Sequence, residues 1–120
     1  MRYMLLIHNN PATYEAWSEE ERTALFGEVD QIMTELRESG ELVGGEALAD
    51  VSNAKTVRVR DGVPAITDGP YAEAKEQMAG YLMVDCETEE RAVEIAARWP
   101  DSRYFAMEVR AVMHTMVVDV

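Results

Sequence analysis

Arg2-Tyr3-Met4-Leu5-Leu6-Ile7-His8 opens the chain with a continuous apolar run between polar ends. Seven residues are too few for the apolar region of a signal peptide followed by cleavage, and far too few to span a bilayer. The run reads as a first strand. Tyr3, Leu5 and Ile7 then point to one side and Met4, Leu6 and His8 to the other. Both sides are largely apolar, so both faces of the sheet need cover. Residues 78–86 repeat this pattern, with Met78, Leu82 and Val84 set against Ala79, Tyr81 and Met83. They read as a central strand.

Working outward, Asn9-Asn10-Pro11 breaks the first strand. A helix begins at Ser18, where Ser18 and Glu21 have capping-box spacing. Leu25, Val29, Ile32, Met33 and Leu36 recur at helical period and make one apolar stripe. Gly40 is the stop, because glycine closes a helix in the left-handed conformation at little cost. Residues 42–49 are extended, with Gly44-Gly45 marking a bulge or a close backbone approach. Thr56-Val57-Arg58-Val59-Arg60 alternates with period two, which predicts a half-buried strand with Val57 and Val59 inside. Asp61-Gly62 is a hairpin signal, and the chain returns through Ala65-Ile66-Thr67. Thr88 caps a second helix, with Glu89 and Glu90 at its positive end and Ala92, Ile95, Ala96 and Trp99 on its buried face. Pro100 ends it. A last strand runs from about Phe105 to Val112, followed by an apolar tail, Met116 to Val120.

The order is β-α-β-(hairpin)-β-α-β. It predicts an α+β, ferredoxin-like fold with an antiparallel sheet and both helices on one face. Two helices cover one face only. A second copy of the chain is expected on the other, giving a homodimer; the alternative is that hairpin and tail fold over it.

The 120 residues make one domain, 1–120, with a single core. At 48% hydrophobic and 28% charged the composition is that of a globular protein. The net charge of −12 repels nucleic-acid phosphates and anionic membranes, so neither is an expected partner. The single Cys86 forms no internal disulfide, which fits a reducing, cytoplasmic setting. No His/Cys set has zinc spacing, no calcium-loop pattern occurs, and no glycine-rich phosphate loop precedes a helix. No metal and no cofactor are expected.

Thr67-Asp68-Gly69-Pro70-Tyr71-Ala72-Glu73-Ala74-Lys75-Glu76 concentrates the polar chemistry. Asp68 is suited to bracing a turn by accepting backbone N–H groups. Pro70 at a first helical position gives one short turn; alternatively the segment stays extended with Tyr71, Glu73, Lys75 and Gln77 on one face. Glu73, Lys75 and Glu76 are within ion-pairing reach in either form. A desolvated lysine is a usable base, which makes Lys75 a catalytic candidate beside Asp68. Arg58 is a carboxylate fork for a ligand, Glu46 or Glu108. Glu108 and Arg110 share one side of the last strand. Histidine is the side chain suited to acid–base work near neutral pH, and His8 is the histidine placed for it. Lys75, Asp68 and His8 are thus the candidate catalytic groups, and Arg58, Glu73, Tyr71 and Arg110 the candidate substrate contacts. Each also has a plain structural role as turn, ion pair or strand end. Trp17 is a core residue by default and otherwise lines a pocket mouth.

Several of these pieces together resemble the DGPF-type proteins of the YCII-related superfamily. They are Tyr3 to Ile7, Gly40-Glu41-Leu42, Gly45 to Leu48, Thr56-Val57-Arg58, Asp68 to Gln77 with Gly80-Tyr81, Glu94 to Pro100, and Glu108-Val109-Arg110. Tyr71 stands where the family commonly has Phe, and Ala111 where it often has Pro. The resemblance implies a dimeric α/β-barrel-type assembly with a pocket near the sheet that binds or transforms a small organic molecule. Some members of the wider superfamily look like enzymes using a His–Asp pair. That pair does not carry over, because the first helix lacks histidine and only His8 and His114 occur. Relatives are often encoded beside alternative sigma factors, so the alternative is a regulatory or protein-interaction module.

Overall fold

The computed structural model describes residues 1–116. A four-stranded sheet has the order β2-β5-β1-β6, built from β1 (Arg2–Asn9), β2 (Leu42–Ala47), β5 (Gln77–Asp85) and β6 (Ala106–Ala111). All its pairings are antiparallel. β3 (Lys55–Arg60) and β4 (Val63–Asp68) form a separate two-stranded antiparallel sheet. The fold is therefore α+β with antiparallel sheets, and among the described residues no barrel closes. The part of the C-terminal tail at 117–120 lies outside the described residues.

Local chemistry sets the helix ends. The Ser18 hydroxyl accepts the Glu21 N–H at 3.1 Å, and the Glu21 carboxylate accepts the Ser18 N–H at 3.4 Å. This capping box starts α2 (Glu19–Ser39), and Gly40 closes it at φ 79°. Thr88 caps α3 (Glu89–Arg98) by accepting the Arg91 N–H. Two short helices join these. α1 (Pro11–Glu15) starts where Asn10 accepts the Ala12 N–H at 3.0 Å, and α4 (Asp101–Tyr104) follows Pro100. Asn9 ends β1 and Trp99 closes α3 as expected, and the prolines that follow also begin the next helices, since a fixed φ and a missing N–H suit a first helical turn.

The core lies on the Tyr3/Leu5/Ile7 side of the sheet. Ile32 and Leu36 from α2, Ala92, Ile95 and Ala96 from α3, and Trp99 pack on Tyr3, Leu5, Leu82 and Val84. Both predicted apolar stripes thus reach one core. On the opposite face, Met4 lies across from Met83 and Leu6 across from Tyr81, each only partly buried. The hairpin does not cover them; its main contacts are strand to strand.

That hairpin departs from expectation. Asp61 (φ 51°) and Gly62 (φ 75°) make the tight turn. Yet Val57 is 60% exposed and Val59 57%, so β3 is not half-buried. Period-two alternation reports which residues share a face, and among the described residues no core covers the valine face.

At the far end of the core an ion-pair latch joins four segments. The Arg91 guanidinium donates from Nε and Nη2 to the two Glu41 oxygens, each at 2.9 Å, and from Nη1 to Glu94 at 2.8 Å. Ser39 Oγ donates to Glu41 at 2.8 Å. Arg91 above all holds the Glu41 carboxyl down to about 2, against the opposing effect of burial. Burial and the Glu41 charge push the Cys86 thiol up, which marks an inert core thiol. A carboxyl depressed on folding contributes stability above its unfolded pKa, lost as pH falls through the folded value. Stability is therefore expected to fall between pH ~4.5 and ~2 partly through this group. Glu41→Gln should flatten that limb and cost about 2 kcal/mol at pH 7. Urea denaturation across pH checks both, and a parallel acid limb in the variant contradicts the latch.

Candidate functional site

Two adjoining concavities open on the helix side of the sheet, at the end of β1. One cleft of about 370 Å³ is bounded by α1, the chain after β2 and the start of β5. A second of about 380 Å³ continues under α2, sharing Asn9, Tyr14, Ala47 and Ala79 with the first. Gly45 and Gly80 lie on its floor. A Cβ on Gly80 would stand 2.5 Å from the Glu46 oxygen, and one on Gly45 2.7 Å from the Tyr81 oxygen. Glycine at these positions lets β2 and β5 approach, as the Gly44-Gly45 pair predicts. The register also shifts between Leu42 and Gly44.

The cleft wall carries an aromatic cluster. Trp17 lies 5.4 Å from Tyr14 and 4.9 Å from Tyr104, centroid to centroid, and Tyr14 lies 6.2 Å from Phe26. Beneath it a small pocket of about 50 Å³ is lined by these four rings and Asp101. Asp101 also faces the larger cleft, where Asn9 Nδ2 donates to its Oδ2 at 3.3 Å. Burial pushes the Asp101 carboxyl above its ordinary range, against the pull of Asn9, its own N–H and Trp99. Burial likewise raises the Tyr14 phenol, with Arg22 pulling it down and the Asp101 charge adding to the rise. Trp17 thus packs in the aromatic cluster and lines the small pocket. The motif reading missed Asp101, Asn9 and Tyr14. The available signal was the Pro-Asp step at 100–101, which starts a short helix as well as following the end of α3.

The sequence-derived candidates fall in two other places. Lys55 pairs with Asp68, whose side chain is 82% exposed, in place of the expected brace on the turn. Gly69 (φ 100°) makes the turn itself, its N–H donating to Ala54 O at 2.8 Å. From Gly69 to Glu76 the chain forms neither a helical turn nor a strand. The Gln77 amide folds it, donating to Ala72 O at 2.9 Å and Ala74 O at 3.2 Å. Glu73, Lys75 and Glu76 are exposed and, among the described residues, enter no ion pair. Arg58 does not reach Glu46 or Glu108 either; its guanidinium stands 5.5 Å from the Tyr71 ring centroid. The second group is on the open sheet face, where His8 Nε2 lies 3.5 Å from Glu108 and Arg110 is opposite Met4. None of the seven residues lines the clefts.

Among the described residues no group of three His, Cys, Asp or Glu side chains is placed to hold a metal ion, and no helix is long and apolar enough to cross a membrane.

The family model of the YCII-related domain matches residues 1–115. An uncharacterised protein of Rhizobium meliloti (strain 1021) is 31% identical over 96 residues, 80% of this chain and 77% of that protein.

Proposed function

This chain belongs to the YCII-related domain family, and on that footing we propose that it binds a small organic molecule in the cleft beside the sheet. The observation that carries the reading is Asp101, a partly buried carboxyl aimed into an apolar, aromatic-walled cleft. Ligand sites are typically concave, mostly apolar and furnished with a few convergent polar groups, and perturbed carboxyls cluster in them. Asn9 and Tyr14 supply further polar groups.

The order β2-β5-β1-β6, with α2 and α3 on one core, supports a ferredoxin-like reading of the main layer. The uncovered Met4, Leu6, Tyr81 and Met83 face supports a homodimer, with a second copy packed sheet to sheet. His8, Glu108 and Arg110 lie on that face and provide both charge signs, as a two-fold, self-complementary interface needs. The Asp68–Lys75 loop with Arg58, Tyr71 and Glu73 then lies outside the single-chain site.

Thermal denaturation against a panel of cationic, neutral and anionic metabolites tests the function. At a hundredfold excess over Kd a ligand should stabilise by about 2.7 kcal/mol. Mass spectrometry of the bound fraction separates binding from turnover. Stabilisation that survives Asn9→Ala and Tyr14→Ala but is lost in Lys75→Ala or Arg58→Ala would move the site to the loop.

A further inference from the structure

We propose that the ligand carries an organic ammonium group, seated in the aromatic pocket against Asp101, a proposal that rests on the cleft beside the sheet being a ligand site. The charges around the clefts point one way. Their lining includes the carboxylates of Glu15, Asp50 and Asp101 and no Lys, Arg or His. An anionic ligand would meet no counter-charge there. The chain as a whole, at −12, attracts cations and repels anions.

The small pocket is built for the head of such a molecule. Tyr14, Trp17, Phe26 and Tyr104 present π systems whose negative faces attract a cation, most strongly one that is weakly hydrated. About 50 Å³ exceeds the roughly 10–15 Å³ that one water requires, and takes a group of a few heavy atoms. Tyr14, Phe26, Val29 and Asp101 line both this pocket and the 380 Å³ cleft, so a head in one has room for a body in the other.

Asp101 supplies the charge. Its carboxyl is desolvated, and among the described residues it joins no ion pair; its side-chain partners, the Asn9 amide and the Trp99 indole, are both neutral. A desolvated carboxylate without a cation is unfavourable for the free protein, and a bound ammonium removes that penalty. The nearby basic groups do not serve. Arg103 is engaged by Glu28 at 2.9 Å and lies against the Tyr104 ring, 5.7 Å from its centroid. Arg22 is near enough to act on Tyr14 but makes no ion pair with Asp101. A bare metal ion is a poor occupant, since hard cations need six or more oxygen ligands and the pocket offers one carboxylate among rings.

The experiment pairs choline with 3,3-dimethyl-1-butanol, a neutral molecule of the same shape, using calorimetry and tryptophan fluorescence on the full chain. Choline is expected to bind at least tenfold more tightly. Asp101→Asn keeps an acceptor for Asn9, should melt no lower than the parent, and should erase the tenfold difference. Trp17→Leu should weaken choline by a similar factor while leaving Asp101 in place. Equal affinity for the neutral isostere, or undiminished choline binding by Asp101→Asn, overturns the ammonium site. If neutral or anionic compounds bind the cleft and choline does not, the ammonium assignment falls and the small-molecule site stands. If no compound of any class binds, both fall.

Discussion

Gly80→Ala is expected to destabilise the protein by roughly 3 kcal/mol, near the top of the range for one added methyl group. Gly80 is buried in the central strand, facing Ile7 on one side and Ala47 on the other. Its Cβ would stand 2.5 Å from the Glu46 carbonyl oxygen and 3.2 Å from the Ala47 Cα, and both neighbours are backbone. A flexible side chain would yield; a strand cannot, except by moving away from β5 and weakening ladder hydrogen bonds that each contribute about 0.5–1.5 kcal/mol net. The gain from restricting the unfolded chain offsets only about 0.4–1 kcal/mol. Gly27 is the matched control. It lies in the middle of α2 with nothing within 4 Å of an added Cβ, so Gly27→Ala should stabilise by about 0.5–1 kcal/mol. Urea denaturation of the two variants reads this difference in sign. A Gly80→Ala protein as stable as the parent would mean that the β2–β5 seam opens freely, and the cleft floor with it.

What the sequence discloses follows from the range of the interactions. Ser18 with Glu21, Gly40, Thr88 and Asp61-Gly62 act over four residues or fewer, and each forms the predicted cap or turn. The stripes Ile32/Leu36 and Ala92/Ile95/Ala96 are legible because a core-facing helix repeats its apolar residues every turn. The exposure of Val57 and Val59 is not legible, since alternation is the same whether or not a third element covers the face. The site was the least accessible of all. Asp101 acquires its character from Asn9, 92 residues earlier, and from aromatic rings on α2, α4 and the turn after α1. No spacing rule encodes that meeting. The Asp68–Lys75 motif, dense in polar types, drew attention because it is local; in the fold its polar groups serve the turn, the Lys55 pair and solvent.

Adjacent residues of β1 provide the second large effect and a test of assembly together. Leu5 is fully buried among α2, α3 and β5 side chains. Leu5→Ala removes three methyl or methylene equivalents from a packed core, and about 3 kcal/mol is expected, within the usual 2–5 kcal/mol for such truncations. For a domain of this size that lowers Tm by roughly 12 °C. The loss should be independent of protein concentration, because the contacts lie within one chain. Leu6 points the other way, onto the open face beside Tyr81 and Glu108. In an isolated chain Leu6→Ala should cost under about 1 kcal/mol, as partly exposed side chains usually do. A homodimer changes that result in a specific manner. Association stabilises by mass action, so the parent's Tm should rise with protein concentration. Leu6→Glu should abolish the rise, because a carboxylate at the centre of an apolar interface would be buried unpaired. Leu5→Ala should keep the rise while lowering every midpoint. Sedimentation and melting over a hundredfold range of concentration separate the cases. A parent whose Tm does not move with concentration, and which sediments as a single chain, would leave the open face uncovered and remove the dimer from the proposal. The cleft on the opposite side of the sheet would keep every residue assigned to it.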